Sequence, residues 1–304
     1  MKSVIFFLGK GGVGKTTSSV SLAYYLAKKD KSVYLASVDP AHNICDIVAD
    51  KPFKGAKNIF GRLYAEEIDV EQYLKDFVHK TTRQMKETYR YLQIINLDRM
   101  LDVMKYSPGM EEYAIMYALE DKIKNNSNKD YIIIDTPPTG LMLKIFALPF
   151  TSKMWIEKLV EWRKKIIDLR GAISNINKEA IDKELAIKEE DDKVLKELGI
   201  QLETIDFMVN LFQDTDKTKT VIVLNQDMLS VNESKKIIEA LKFMKIPLNM
   251  ILLNKKGMIE DSVDIKNNFK DTTVRDVPFF KSGLPSTEDM INSCKDWVKV
   301  LIDE

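Results

Sequence analysis

A glycine-rich segment near the start of the sequence has the residue types that cradle the phosphates of a nucleotide. It occupies residues 9–17 and reads GKGGVGKTT. Glycines let successive backbone N–H groups point at phosphate oxygens without a side-chain clash, and a following helix adds its positive N-terminal end. In this pattern Lys15 reaches the β- and γ-phosphates, and the Thr16 hydroxyl binds Mg²⁺. The segment therefore predicts a site for ATP and Mg²⁺. The nucleotide-binding residues of this segment are Gly9, Lys10, Gly11, Gly12, Val13, Gly14, Lys15, Thr16 and Thr17.

Lys10 is a second lysine inside the same loop. The cradle for the phosphates of its own site does not need it. It can instead be a cation delivered to the phosphates of a neighbouring subunit, as an arginine finger is. That interpretation predicts a dimer with nucleotide near its interface. The alternative is a surface lysine in water.

Two acidic motifs follow apolar segments further along the chain. Asp39 opens DPAHN, and Asp135 opens DTPPTG. A carboxylate at the carboxyl end of a strand beside the phosphate loop can polarise the attacking water or hold Mg²⁺, directly or through water. We assign a catalytic role to Asp39, together with Lys10 and Lys15 of the loop. We assign a role in holding Mg²⁺ through water to Asp39 and Asp135. Asn43 is predicted to donate to a phosphate or to a switch backbone, and His42 to hydrogen-bond within its own loop. Gly140 gives a switch segment freedom to move with the γ-phosphate.

The elements that position these residues alternate between apolar strands and amphipathic helices. This alternation predicts an α/β fold, a doubly wound and mostly parallel sheet carrying the phosphate loop. Helices are expected at residues 16–29, 230–243 and 286–302. Strands are expected at residues 3–8, 32–38, 131–134, 220–224, 248–253 and 273–277.

Two longer stretches, 70–126 and 141–207, are predicted to be mostly helical. They suggest a helical subdomain inserted into a single phosphate-loop domain that spans residues 1–304. A mixed-charge run at 178–197 is expected to be a solvated helix. One row of apolar residues recurs at alternating spacings of four and three, which places it on one helix face. The row consists of Trp155, Leu159, Trp162, Ile166, Leu169 and Ile173.

Composition excludes several classes of protein. The chain has 304 residues, of which 45% are hydrophobic, and its formal net charge is zero, which does not indicate a nucleic-acid binder. Its two cysteines, Cys45 and Cys294, lie far apart and suggest neither a disulfide framework nor a zinc site. A reducing, cytoplasmic setting fits this usage. No stretch approaches the roughly 18 apolar residues of a membrane span.

Taken together, the motifs resemble those of the arsenite-pump and tail-anchored-protein-targeting ATPases (ArsA/Get type), within the MinD-like group of signature-lysine ATPases. GKGGVGKTT, DPAHN and DTPPTG match the family's loop and two switches, although the family usually has DTAPTG at the last. The resemblance implies that Asp39 orients the attacking water and that Lys10 crosses a dimer interface. It also implies that Asn254 reads adenine, that Pro278 and Phe279 begin the adenine-side loop, and, more loosely, that Asp227 lies near the nucleotide.

The sequence also departs from both branches of that family. The cysteines that bind As(III) in arsenite pumps are missing, and so is the CxxC that shares zinc across the targeting dimers. We therefore expect no zinc site and no arsenite-stimulated activity.

Two functions follow from these motifs and departures. The first is a Mg²⁺-dependent ATPase that acts as a nucleotide-switched homodimer and carries hydrophobic helices such as those of tail-anchored proteins. The alternative is an ATPase subunit that energises or regulates a membrane transporter or metal-handling partner.

A hydrophobic groove would favour the carrier function over the alternative. The row from Trp155 to Ile173 could line such a groove or fill an ordinary helical core. The same choice applies to a set of methionines, which suit a groove that accepts varied apolar segments. Spacing alone favours the core. The methionines are Met85, Met100, Met104, Met110, Met116, Met142 and Met154.

Overall fold

The structure is a computed structural model that describes residues 1–39, 43–48, 54–88, 107–176, 186–256, 265–280 and 285–302. Within these ranges eight strands form one sheet. They are β1 (Ser3–Leu8), β2 (Val33–Ser37), β3 (Lys57–Phe60), β4 (Leu63–Glu67), β5 (Tyr131–Asp135), β6 (Thr218–Leu224), β7 (Met250–Lys256) and β8 (Val274–Pro278).

The strand order is β3-β4-β2-β5-β1-β6-β7-β8, which places β1 inside the sheet between β5 and β6. Every pairing is parallel except that of β3 with β4. The predicted α/β fold with a mostly parallel sheet is therefore confirmed. Because β1, β5 and β2 are neighbours and parallel, their carboxyl ends meet at one edge of the sheet. The loop and both acidic motifs follow these three strands.

Helices connect the strands. They are α1 (Lys15–Lys28), α2 (Asn43–Val48), α3 (Val70–Thr88), α4 (Met110–Asn125), α5 (Thr139–Ile176), α6 (Lys193–Gln213), α7 (Met228–Met244), α8 (Ile265–Asn268) and α9 (Thr287–Cys294).

The core lies on the sheet because the central strands are apolar on both faces. All six residues of β1 are buried, as expected for a parallel strand covered on both sides. On one face, Phe6 packs edge-to-face against Phe146 and Phe212, with ring centroids 5.4 and 5.8 Å away. On the other face, β1 contributes Ile5 and Phe7 to a cluster that includes Trp297.

The chain divides into two compact units. One comprises Met1–Tyr73, Ala114–Phe146 and Leu211–Glu304, and it contains the sheet. The other comprises Leu74–Tyr113 and Ala147–Asn210, and its described residues are mostly helical. The helical subdomain with bounds 70–126 and 141–207 stays a prediction.

Inside the helical unit, α5 packs against α6. Ile156 of α5 joins Ile205 and Val209 of α6 in a small buried cluster. Arg163 of α5 donates from Nε and Nη2 to the two carboxylate oxygens of Asp192, at 3.0 and 2.8 Å. Asp192 also accepts the backbone N–H of Leu195 and so caps the first turn of α6. An apolar cluster and one buried ion pair therefore hold these two helices together.

Several predicted elements need correction. The run at 178–197 is not one helix: residues 186–188 are irregular, 189–191 form a short 3₁₀ turn, and α6 begins only at Lys193, after its cap. Residues 177–185 lie outside the described ranges. The helix expected at 286–302 ends at Cys294, where the chain turns so that Trp297 is fully buried. The strands β3 and β4 were not predicted.

Candidate functional site

A cavity of about 600 Å³ lies beside the phosphate loop, within the unit that contains the sheet. Its volume is in the range of small-molecule and cofactor sites. The predicted residues that line it are Gly11, Gly12, Gly14, Lys15, Thr16, Thr17, Asp39, Asn254 and Phe279. Other described residues with predicted roles are not part of this lining, namely Gly9, Lys10, Val13, Asp135, Gly140, Asp227 and Pro278.

The phosphate loop has a backbone that only glycine adopts easily. Gly12 and Gly14 have φ angles of 77° and 98°, in the left-handed region. A Cβ on Gly9 would lie 2.3 Å from the backbone oxygen of Val223, so no side chain fits there. In the described structure no side chain caps α1 at Gly14, which leaves the first N–H groups of that helix for a ligand. This is the arrangement of an anion site at a helix N-terminus.

The two lysines of the loop are in different surroundings. Lys15 is 5% exposed, and its ammonium lies 3.4 Å from the backbone oxygen of Lys10. Lys10 itself is exposed. Burial acts to raise the pKa of Asp227, but its hydrogen bonds from Ser230 and, after them, the positive charge of Lys10 hold that pKa below its usual value. Lys15 is thus directed into the loop, whereas Lys10 projects from it.

Asp135 is fully buried at the carboxyl end of β5. Its Oδ2 accepts hydrogen bonds from the hydroxyls of Thr16 at 2.8 Å and Ser37 at 3.3 Å. Its Oδ1 has no hydrogen-bond partner among the described residues. Burial raises the pKa of this carboxyl to about 6, although the Thr16 hydrogen bond and the charge of Lys15 act in the opposite direction. A buried carboxylate with a vacant oxygen beside a threonine hydroxyl is a donor set that suits Mg²⁺.

The first acidic motif is described only in part. Asp39 is half-buried, its backbone N–H donates to the hydroxyl of Ser37 at 3.2 Å, and it lines the cavity. Asn43 begins α2, but its side chain and all of His42 lie outside the described structure. The catalytic role of Asp39 and the ligand role of Asn43 stay predictions.

Asn254 lines the cavity and is bonded to the phosphate loop itself. Its Nδ2 donates to the backbone oxygen of Val13 at 2.7 Å, and its Oδ1 accepts the N–H of Lys255 at 2.8 Å. A Cβ on Gly14 would lie 2.1 Å from the same Nδ2. Asn254 therefore joins the end of β7 to the phosphate loop. Reading of adenine by this residue stays a prediction.

Several lining residues were missed by sequence reasoning. Lys255 follows Asn254 directly, and Phe280 follows Phe279, so the only signal for either was adjacency to a residue already chosen. Pro138 belongs to the motif DTPPTG but had no predicted role of its own, and no motif marks the others. The remaining lining residues are Ser18, Ser21, Asp46, Ile47, Pro138, Val277, Pro285, Ser293 and Trp297. Asp227 caps α7 through the N–H of Ser230 at 2.8 Å, and its place near the nucleotide stays a prediction.

A second surface with functional potential lies on α5. The six apolar residues from Trp155 to Ile173 are all exposed, and Ile176 continues the row at the same spacing. The core interpretation of this row, which spacing alone favoured, is therefore wrong. The opposite face of α5 supplies the buried contacts through Ile156 and Ile167. We call the seven exposed residues the α5 row: Trp155, Leu159, Trp162, Ile166, Leu169, Ile173 and Ile176.

The α5 row is unusually large for a free surface. Trp155 is 67% and Trp162 53% exposed, so at about 250 Å² per side chain the two indoles expose roughly 300 Å². That already reaches the largest apolar patch of a typical monomer, about 300–600 Å², before the aliphatic residues are added. From Trp155 to Ile176 the helix rises about 32 Å at about 1.5 Å per residue. No helix among the described residues is itself long and apolar enough to cross a membrane.

The methionines do not share one environment. Met116 and Met142 are buried, 6% and 0% exposed, and belong to the core. Met154 is 70% exposed next to the start of the α5 row, and Met110 is half-buried. The side chain of Met85 and all of Met100 and Met104 lie outside the described structure.

Comparison with known proteins identifies relatives across most of the chain. A model of the family of anion-transporting ATPases (ArsA_ATPase) matches residues 2–273. A protein of Aquifex aeolicus named as an arsenical pump-driving ATPase is 29% identical over 83% of this chain and 79% of its own length. ATPase get3 of Aspergillus terreus is 32% identical over 82% of this chain and 72% of its own length. An ATPase ASNA1 homolog of Plasmodium vivax is 32% identical over 86% of this chain and 65% of its own length.

Proposed function

The chain belongs to the family of anion-transporting ATPases, and we propose that it works as a nucleotide-switched homodimer that carries hydrophobic helices, such as those of tail-anchored membrane proteins. Its enzymatic activity is the hydrolysis of ATP. The observation that carries the proposal is the exposed α5 row.

The residues in and beside the cavity support separate roles in the hydrolysis of ATP. The N–H groups of the loop and the Lys15 ammonium hold the phosphates, since glycine geometry and the uncapped start of α1 leave those donors available. Thr16 and Asp135 would hold Mg²⁺, which supplies charge neutralisation at the β- and γ-phosphates. Asp39 lines the same cavity and is the residue proposed to orient the attacking water.

Lys10 is proposed to complete the site of a second copy. Its side chain is exposed, while the buried ammonium of Lys15 serves its own loop. An exposed cation beside one nucleotide can approach the phosphates of another across a two-fold axis, which ties dimer closure to the presence of ATP. The switch segment that begins at Asp135 follows the strand next to β1 and is the proposed link between phosphate and helices.

The dimensions of the α5 row support a helical client. Its length of about 32 Å is close to the hydrocarbon thickness of a bilayer, about 30 Å, which a membrane-spanning helix of about 20 residues must match. Its alternating spacing of four and three is the spacing by which one helix packs lengthwise along another. A client helix laid on the row would therefore be covered over most of its length.

Binding of a labelled apolar helix of about 20 residues tests this proposal. The full chain, loaded with a non-hydrolysable ATP analogue, is compared with the variant Trp155→Ser/Trp162→Ser. Burying roughly 300 Å² of indole surface is worth up to about 7 kcal/mol at 25 cal/mol/Å². Part of that gain is lost to ordering, so we expect affinity to fall at least about 30-fold, a loss of about 2 kcal/mol.

Phe243→Ser is the matched control, because Phe243 is 90% exposed on α7 and lies outside the α5 row. Both variants should keep the wild-type melting temperature and ATPase rate, since they change only exposed side chains. Equal client affinity in wild-type protein and in the double variant would disprove the carrier role and leave the ATPase activity intact.

The alternative is an ATPase subunit of an arsenite-pump-like assembly. The burial of both thiols gives this alternative less support. Cys45 is 4% and Cys294 0% exposed. Burial raises the pKa of the Cys294 thiol, which keeps it protonated and unreactive. A trivalent arsenic site needs accessible thiolates. Two buried free thiols also fit the proposed reducing, cytoplasmic setting.

A further inference from the structure

Lys255 has an uncommon backbone conformation at the end of β7. Its φ of 55° lies in the left-handed region, which residues other than glycine seldom adopt. The side chain of Asn254 holds it there: Oδ1 accepts the Lys255 N–H at 2.8 Å, and Nδ2 donates to the backbone oxygen of Val13 at 2.7 Å. Conformations of this kind persist where the surrounding structure enforces them, and they cluster at ligand sites.

The other end of the Lys255 side chain is also held. Its ammonium lies 3.4 Å from the backbone oxygen of Gly12 in the phosphate loop. With the backbone fixed by Asn254 and the ammonium placed on the loop, the methylene stem between them has little freedom. Lysine stems commonly pack along apolar surface while the charged head keeps a polar contact.

The Lys255 side chain shares the cavity lining with apolar side chains. Lys255 lines the nucleotide cavity together with Val277 and Phe279, which come from the adjacent strand β8 and the residue that follows it. The phosphate end of that cavity is already supplied with N–H donors and with Lys15. What a base needs in addition is apolar surface for its ring faces, and the stem, Val277 and Phe279 supply that.

We propose that Lys255 is a nucleotide-binding residue that acts through its stem. The methylenes form one wall of the slot for the purine ring, and the ammonium stays on the Gly12 carbonyl rather than moving to a phosphate. The assignment concerns nucleotide binding by a single subunit, so it does not depend on the carrier role or on dimerisation.

Direct titration of three ligands into the full chain tests it. The ligands are ADP, ATP and inorganic tripolyphosphate, which has the phosphates without the base. The variants are Lys255→Met, which keeps an unbranched apolar stem without the charge, and Lys255→Ala, which removes the stem. We expect Lys255→Ala to weaken ADP and ATP binding about tenfold each, equivalent to about 1.4 kcal/mol. Lys255→Met should stay within about threefold of wild type, and tripolyphosphate affinity should not change in either variant.

Lys236→Ala and Lys236→Met are the matched controls, because Lys236 is exposed on α7 and is not part of the cavity lining. Unchanged tripolyphosphate binding also shows that the phosphate loop is folded in each variant. If Lys255→Met loses as much ADP affinity as Lys255→Ala, or loses tripolyphosphate affinity, the ammonium acts on phosphate and the proposal is wrong. Unchanged ADP affinity in Lys255→Ala overturns it equally.

Discussion

Replacing Arg163 by methionine should loosen α6 where it packs against α5. The guanidinium of Arg163 bonds both oxygens of Asp192, and the Asp192 side chain is 2% exposed while that of Arg163 is 19% exposed. Removing one partner of a buried pair costs about 3–5 kcal/mol, and here it would leave the Asp192 charge with only the Leu195 N–H bond and the more distant charge of Arg170. Because the guanidinium is partly exposed, water can reach the site it leaves, so we expect the lower end, about 3 kcal/mol.

Native-state amide hydrogen exchange measures this loss locally. A decrease of about 3 kcal/mol in the free energy of opening corresponds to exchange roughly 150-fold faster. The affected amides should begin with that of Leu195, whose N–H donates to Asp192 at 2.8 Å, and continue along α6. The amides of β1 lie in the other unit and should change by less than about threefold.

Arg163→Met in an Asp192→Asn background measures how much of the loss comes from the buried charge of Asp192. Asparagine can still accept the Leu195 N–H but leaves no buried anion, so Arg163→Met should then cost less than about 1 kcal/mol. Lys165→Met is a surface control, since its pair with Glu161 is largely exposed, and it should leave the exchange rates in α6 unchanged. An equal cost of Arg163→Met in the wild-type and Asp192→Asn backgrounds would refute the reasoning.

The Arg163–Asp192 pair also makes the stability of α6 depend on pH. Burial raises the pKa of Asp192, but the Arg163 and Leu195 bonds outweigh it, so that the net pKa lies below its ordinary value. Because the folded-state pKa is lower than the unfolded one, the contribution of the pair is complete above about pH 3.9 and is lost as the pH falls through the folded value. The difference in exchange rate between wild type and Arg163→Met should therefore shrink below about pH 4.

Two further predictions concern the nucleotide cavity. Gly9→Ala places a Cβ 2.3 Å from the backbone oxygen of Val223 and must displace the phosphate loop. The affinity for ATP, measured by titration, should therefore fall about tenfold or more. Unchanged affinity would contradict the close approach of the two backbones. Asp135→Asn should lower the rate of phosphate release at least about 100-fold, because it removes a charge that would hold Mg²⁺. It should not lower the melting temperature of the nucleotide-free protein, because burial raises the pKa of this carboxyl and so disfavours its charge in the folded state.

The strands nearest the site were the easiest part of the fold to predict from sequence. The run SVIFFL predicts β1 with its observed bounds, because a strand buried on both faces is continuously apolar and the glycines that follow end it. The strand ending at Asp135 is placed equally well. Parallel neighbours then bring the loop and the acidic residues to one edge. The strand β3 reads KNIF and is mostly exposed at the sheet edge, so it has no buried pattern to recognise.

Side chains that act through tertiary contacts could not be read from the sequence. Lys255 has no motif of its own, and its importance depends on a left-handed backbone and a contact with Gly12, more than 200 residues away. The α5 row has a helical spacing that is the same for a buried and for an exposed face. Only the packing of Ile156 and Ile167 on the opposite side shows which face is covered.

The position of β1 inside the sheet has a consequence for synthesis of the protein. Its neighbours are β5, whose Tyr131 pairs with Ser3, and β6, whose Ile222 pairs with Leu8. At about 5–20 residues per second, residue 222 leaves the ribosome roughly 10–40 s after residue 8. The segment VIFFL, a β-prone, uncharged stretch of the kind that aggregates, has no partner strand until β5 emerges, and one of its two edges stays unpaired until β6 follows. The nucleotide site can therefore form only late in translation, and the nascent chain needs shielding until then.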